Sequence, residues 1–185
     1  MNRCQRRRLA VIKQSLVAGP SVVLALLWLF GYALPRVHRE EVRVRLPSSA
    51  ETVWAVLTDL DGMPDWRRDV TRLERLPDGD GGIRWREVGV GGRTLAFERT
   101  EAIPPLRLVV RQVDGSSGER RWIYRILRTD RGVELAVAEE SRVENPAWRS
   151  VVGLFGGNRG RISGLARDLE RRLNVRRQLA ANQKP

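Results

Sequence analysis

The chain has 185 residues with 34 Lys+Arg against 22 Asp+Glu, a formal net charge of +12, and is long enough for one ordinary domain and an appendage. One cysteine, Cys4, excludes an intrachain disulfide, and one histidine, His38, excludes a metal site of Cys and His ligands and argues against a Ser-His-Asp or Cys-His unit. Residues 1–39 hold 7 Lys+Arg and no acids, residues 159–185 hold 8 against 2, and residues 40–158 hold 19 against 20; a neutral body with basic ends argues against nucleic acid and for anionic lipid headgroups as partners.

Residues 1–13 form a basic N-terminus with Arg3, Arg6, Arg7, Arg8 and Lys13. Residues 14–35 carry no charge, a run that suits one transmembrane helix. Pro20 falls in its first turns, where proline is tolerated. Trp28 and Tyr32 near its far end fit an interfacial aromatic belt. The expectation is a single-pass protein of the cell membrane, N-terminus cytoplasmic and domain extracytoplasmic by the positive-inside rule. Arg36, Arg39, Arg43 and Arg45 after the span weaken that asymmetry. The alternative is a signal peptide cleaved before Leu34, with Gly31 and Ala33 as its small residues. A long apolar core and bulky Leu34 before Pro35 count against cleavage. Residues 36–40 read as a linker.

Residues 41–174 read as the soluble domain. Glu41–Leu46 alternates Val42, Val44 and Leu46 with Glu41, Arg43 and Arg45, the pattern of a half-buried strand. Pro47-Ser48-Ser49 ends it and supplies an N-cap for a short helix predicted over 50–60. Asp61-Gly62-Met63-Pro64 breaks that helix, and residues 65–68 read as a second helical turn. Six more strands are predicted over 70–76, 83–90, 93–102, 106–113, 119–128 and 133–143, divided by Gly- and Pro-bearing turns. Seven strands at this spacing predict one antiparallel meander in an α+β fold.

After Pro146, the residues Val151, Leu154, Phe155, Ile162, Leu165, Leu169 and Leu173 recur on one helical face and predict a long C-terminal helix to about Arg172. Gly153, Gly156, Gly157, Gly160 and Gly164 lie inside it, each costing roughly 1 kcal/mol of helix stability. Close packing on the sheet, a break near Gly156-Gly157, or room left for a ligand each accounts for them. Residues 175–185 lack an apolar period and read as a basic flexible tail. Gly89-Val90-Gly91-Gly92 and the Gly153–Gly160 stretch lack the Lys-Ser/Thr of a phosphate loop, so nucleotide binding is rejected.

Four local features occur in order. Ser49 to Asp59 reads small-x-x-x-Val-Trp-x-x-Leu-x-Asp, and Met63-Pro64-Asp65-Trp66 reads x-Pro-x-Trp. Pro104-Pro105-Leu106-Arg107-Leu108 forms a mid-sheet turn, and Gly118 to Tyr124 followed by Gly132 to Leu135 forms a late hairpin. In that order and spacing, over about residues 41–173, the chain resembles the START-like superfamily. That superfamily, also labelled SRPBCC, includes the birch-pollen allergen and the polyketide cyclase/dehydrase group. The resemblance implies a helix-grip fold, a curved seven-stranded sheet that grips the last helix around an apolar cavity. It implies no single function, because the fold hosts lipid carriers, hormone receptors, cyclases and chaperone-like binders.

Trp85, Phe97, Trp122 and Tyr124 fall on predicted strands, Trp54 and Trp66 on the short helices, and Phe155 on the last helix. They are the candidate ligand-binding residues, since large aromatics with polar tips orient an apolar ligand. Any one of them serves equally as core. Glu87 shares a strand face with Ile83 and Trp85 and is the candidate catalytic carboxylate, as an inward acid can act as general acid or base. The bland alternative is neutralisation by a nearby arginine such as Arg99 or Arg125. Glu98, Glu139 and Glu140 also lie within strands. No metal or other cofactor is expected. The leading expectation is a membrane-tethered module that binds or transfers a hydrophobic small molecule such as a lipid or quinone. The alternatives are a cyclase/dehydrase-type enzyme using the cavity carboxylate, and an envelope interaction module without a ligand. Oligomeric state is not legible.

Overall fold

Alternation of apolar and charged residues drives most of residues 37–142 into one sheet. This computed structural model describes residues 22–23, 25–79, 82–114, 119–155 and 159–182. The strands are β1 (Val37–Leu46), β2 (Val70–Gly79), β3 (Gly82–Gly89), β4 (Thr94–Ile103), β5 (Arg107–Gln112), β6 (Arg120–Thr129) and β7 (Gly132–Arg142). Their order is β1-β7-β6-β5-β4-β3-β2, antiparallel throughout. The predicted α+β meander is therefore present. β1 and β2 lie at opposite edges, so the chain between them must cross the sheet. Register shifts between Val70 and Arg72, Leu76 and Gly79, and Arg99 and Glu101 mark bulges, which bend strands and suit a curved sheet.

The chain divides into two compact units, residues 1–36 with 143–156, and residues 37–142 with 157–185. The second holds the sheet, α2 (Ala50–Thr58), a 3-10 turn at Met63–Asp65 and α4 (Arg159–Asn182). Ser49 caps α2 as expected, its hydroxyl accepting the Thr52 N–H at 3.2 Å. Ile162, Ala166, Leu169 and Leu173 are buried at helical spacing on α4, and Ile162, Leu169 and Leu173 join the core formed by Leu46, Val53, Ile126 and Leu135. The Asp168 carboxylate accepts the Arg68 N–H at 3.0 Å, which ties α4 to the segment after the 3-10 turn. At the β6–β7 turn Gly132 has φ +135, and a Cβ there would overlap the Leu46 carbonyl oxygen; this turn requires glycine.

The opposite face of the sheet is a mesh of arginines and acids. Glu98, 0% exposed, meets Arg84 at 3.3 Å and Arg111 at 2.6 Å. Glu140 meets Arg39 at 2.9 Å and Arg121 at 2.6 Å.

In the first unit, residues 25–33 are helical (α1), alongside α3 (Pro146–Phe155). The Ser150 hydroxyl donates to the Leu27 carbonyl. Arg149 donates to the Leu34 carbonyl at 3.0 Å and lies 5.9 Å from the Tyr32 ring centroid. Leu26, Trp28, Leu29, Phe30, Trp148 and Leu154 are all exposed.

Two expectations change, the linker and the tail. Of the predicted long C-terminal helix, α3 (Pro146–Phe155) and α4 (Arg159–Asn182) are helical, and residues 156–158 lie outside the described residues. A Cβ on Gly160 or Gly164 would meet nothing within 4 Å, so close packing does not require glycine at those two positions. The predicted linker at 36–40 is largely β1, whose pairing with β7 starts at Val37 and Arg142. The predicted tail at 175–185 continues α4 to Asn182, and residues 183–185 lie outside the described residues. Among the described residues no helix is long and apolar enough to cross a membrane. Residues 14–21 and 24 of the predicted span lie outside them.

Candidate ligand-binding cavity

Strand alternation sends Ile83, Trp85 and Glu87 to the same face of β3, and Trp122, Tyr124 and Ile126 to the same face of β6. On that face a cavity of ≈ 230 Å³ opens against α4, the end of α2 and the 3-10 turn. Trp85, Phe97 and Trp122 form its aromatic floor. Trp85 and Phe97 are stacked with centroids 5.9 Å apart, and Phe97 meets Trp122 edge-on at 5.4 Å. Such offset and edge geometries match the quadrupoles of the rings. Ile162 and Leu165 of α4 contribute to the wall.

Each polar tip is either anchored or open. The Trp85 indole N–H donates to Glu87 at 3.0 Å, and the Trp122 indole N–H donates to Glu139 at 3.1 Å. The Trp66 indole nitrogen is buried with no hydrogen-bond partner, although Trp66 is 7% exposed and lines the cavity. Burial pushes the Tyr124 phenol above its ordinary pKa against the opposing pull of Arg67, so it is a neutral donor.

Glu87 does face the cavity, but not as a free acid. Arg67 donates to Glu87 at 3.0 Å and grips Asp69 through two bonds at 3.1 and 2.7 Å. Burial opposes charge on Arg67, but Glu87 and Asp69 outweigh it and hold the guanidinium above its already high pKa. The neutralising arginine is thus Arg67. Arg125 lies on the other face and pairs with Glu41 at 2.7 Å, while Arg99 lines the cavity. Among the described residues no His, Cys, Asp and Glu cluster suited to a metal ion is found.

Of the predicted ligand residues, the fold brings Trp66, Trp85, Phe97, Trp122 and Tyr124 together around this cavity. Trp54 is not among them; it packs half-buried against the core. Phe155 ends α3 in the other unit, and its side chain lies outside the described residues. Sequence reasoning missed Arg67 and Asp69. They sit between elements, where no periodicity assigns a face, and only their i, i+2 charge pairing was visible.

A family model described as polyketide cyclase / dehydrase and lipid transport matches residues 38–180. No curated protein sequence matches the chain. Among solved structures, an aromatase/cyclase from Streptomyces shares 18% identity at TM-score 0.62, covering 76% of this chain and 95% of its own. A norcoclaurine synthase of Thalictrum flavum, solved with dopamine and hydroxybenzaldehyde, shares 16% identity at TM-score 0.58, covering 85% and 93%. A protein from Rhodobacter sphaeroides shares 28% identity at TM-score 0.56, covering 78% and 93%. At 16% and 18% identity, the two enzymes are likenesses of fold alone.

Proposed function

This chain belongs to the polyketide cyclase/dehydrase and lipid transport family, and from that premise we propose that it binds or transfers a hydrophobic small molecule in the cavity between sheet and α4. The observation that carries the reading is the space itself. Interiors pack to crystal-like density with few voids larger than a water, yet ≈ 230 Å³ stand open beside three aromatic rings. An apolar cavity of ~150 Å³ already holds benzene, so a body of one or two rings fits. At ~30 Å³ per water-sized group the space takes roughly eight such groups. That volume favours a quinone ring or the head of a chain over a diacyl lipid held whole. Native mass spectrometry of the gently extracted full-length protein should show a copurifying apolar mass, and an apolar fluorophore should bind once per chain. A protein that carries no such mass and binds no fluorophore overturns the reading.

The enzyme reading draws on one observation, that Glu87 lines the cavity. Its Oε1 already accepts bonds from Arg67 and Trp85, which favours a fixed polar anchor over a mobile proton carrier. A ligand that changes mass on incubation with the protein would move the balance to the enzyme.

The membrane tether is part of the proposal, supported by the uncharged run at 14–35 between basic residues, and it would place the cavity next to a reservoir of apolar ligand. The full-length chain should stay in the membrane pellet after alkaline carbonate washing. Recovery in the supernatant with a new N-terminus at Leu34 would identify a cleaved signal instead. A C-terminal alkaline phosphatase fusion, active only outside the cytoplasm, tests the extracytoplasmic placement.

A further inference from the structure

In the first unit the usual polarity of inside and outside is exchanged. α3 carries a single charge, Arg149, and that side chain is turned inward. Arg149 is 4% exposed, against 52% for Trp148 and 57% for Leu154. Its guanidinium donates to the Leu34 carbonyl at 3.0 Å and to the Glu144 carbonyl at 3.4 Å. The adjacent Ser150 is fully buried and donates to the Leu27 carbonyl. A helix facing water shows the reverse, with charge outward and apolar side chains inward. α1 carries no charge on any side. With Leu34 just beyond it, α1 meets α3 along one stripe of Leu27, Gly31 and Leu34, so closely that a Cβ on Gly31 would overlap the Pro146 carbonyl. Away from that stripe Leu26, Trp28, Leu29 and Phe30 are exposed. Single exposed apolar residues are ordinary. A helix apolar all round belongs inside protein or lipid.

Two observations favour lipid. α1 is part of the uncharged run at 14–35, which is long enough to span a bilayer. Charge returns at Arg36 and Glu144, just after Leu34 and just before α3, and these two exposed side chains stand 4.0 Å apart. Polar side chains of membrane elements turn inward and pair with backbone carbonyls, as Arg149 does. At 1.5 Å per residue the ten residues of α3 measure about 15 Å, half of the ~30 Å hydrocarbon core. α3 is too short to cross.

We propose that α3 is a second membrane contact, an interfacial helix that sets Trp148 and Leu154 into the bilayer beside residues 27–34 of the tether. The chain then meets the membrane both before β1 and after β7. The inference rests on the tether reading above. Since the one charge of α3 is buried, this contact needs no anionic headgroup.

Fluorophore labelling of the full-length chain in phosphatidylcholine vesicles tests it. In a Cys4→Ser background, Trp148→Cys, Leu154→Cys, Leu29→Cys and Arg128→Cys each take one polarity-sensitive label. All four native side chains are exposed, so the label displaces no core packing. Spin-labelled lipids should quench the labels on Trp148→Cys and Leu154→Cys at a depth of about 5–10 Å, and aqueous iodide should not reach them. The label on Arg128→Cys, on the sheet, should respond to iodide alone. Salt at about 0.5 M should leave the lipid quenching of the α3 labels unchanged, because no exposed charge of α3 takes part. If lipid quenches Leu29→Cys while iodide quenches both α3 labels, α3 faces water; the proposal is overturned and the tether stands. If the α3 labels are shielded from both quenchers, a protein surface such as a second copy of the chain covers α3, which also overturns it. If iodide reaches Leu29→Cys and both α3 labels, the tether reading fails and this proposal with it.

Discussion

Replacing Arg67 with methionine should lower the stability of the sheet unit by about 3–5 kcal/mol, the cost of removing one partner from a buried ion pair. The Arg67 side chain is 13% exposed and that of Glu87 8%. Methionine restores much of the volume but no donor, so Glu87 keeps only the Trp85 indole among these bonds. Glu87→Gln alone should cost less, because an amide oxygen still accepts from both neighbours. In the double variant the buried charge goes with its partner, so its loss should fall short of the two single losses added together by about 0.5–3 kcal/mol. Acid sensitivity should change too. Burial alone would raise the Asp69 carboxyl, but the Arg67 hydrogen bond and charge overcome it and hold its pKa below the ordinary value. A depressed folded pKa contributes stability that is present above the unfolded value of ~3.9 and is lost as pH falls through the folded one. Arg67→Met should therefore show a shallower loss of stability below about pH 4 than the parent. Urea unfolding at several pH values measures both effects. A loss under about 1 kcal/mol, or single losses that simply add, would show that the network is not coupled.

The parts of this site that lie on strands were legible in the sequence, because a period of two admits only two faces. Trp85 and Glu87 had to share a face once Ile83 was inward, and the structure joins them with a 3.0 Å hydrogen bond. What stayed hidden depends on neighbours distant in sequence. The Arg67 partner lies 20 residues away on β3, in reach only once the 3-10 turn has been placed beside that strand. The Phe97–Trp122 contact passes over β5, since β4 and β6 each pair with it. Helix limits failed for a different reason. The apolar stripe of α4 stops at Leu173, yet the helix runs on to Asn182 through Arg, Gln, Leu and Ala, residues of high intrinsic helix propensity. Phe155 was assigned beside Ile162 by continuing one helical face across Gly156, Gly157 and Gly160. That continuation runs through residues 156–158, which lie outside the described residues.

Replacing Trp122 with alanine should cost about 3–5 kcal/mol, the usual range for deleting a buried aromatic, and should also reshape the cavity. Trp122 makes two interactions there, the edge contact with Phe97 at 5.4 Å and the indole bond to Glu139 at 3.1 Å. Trp122→Phe separates the two. It keeps an edge for Phe97 and deletes the donor, and should lose about 1–3 kcal/mol, the cost of taking one partner from a buried hydrogen bond. Loss of stability does not by itself reveal a binding site, since any packed core residue produces it. The ratio of affinities for a two-ring and a three-ring apolar probe does. A partly unfolded sample weakens the apparent affinity for both probes by the same fraction and leaves their ratio unchanged. If the floor contacts ligand, Trp122→Ala should shift that ratio toward the three-ring probe, because the deleted indole opens onto space that is already ≈ 230 Å³. An unchanged ratio with a lower melting temperature would make Trp122 a core residue and move the ligand contact elsewhere along the wall.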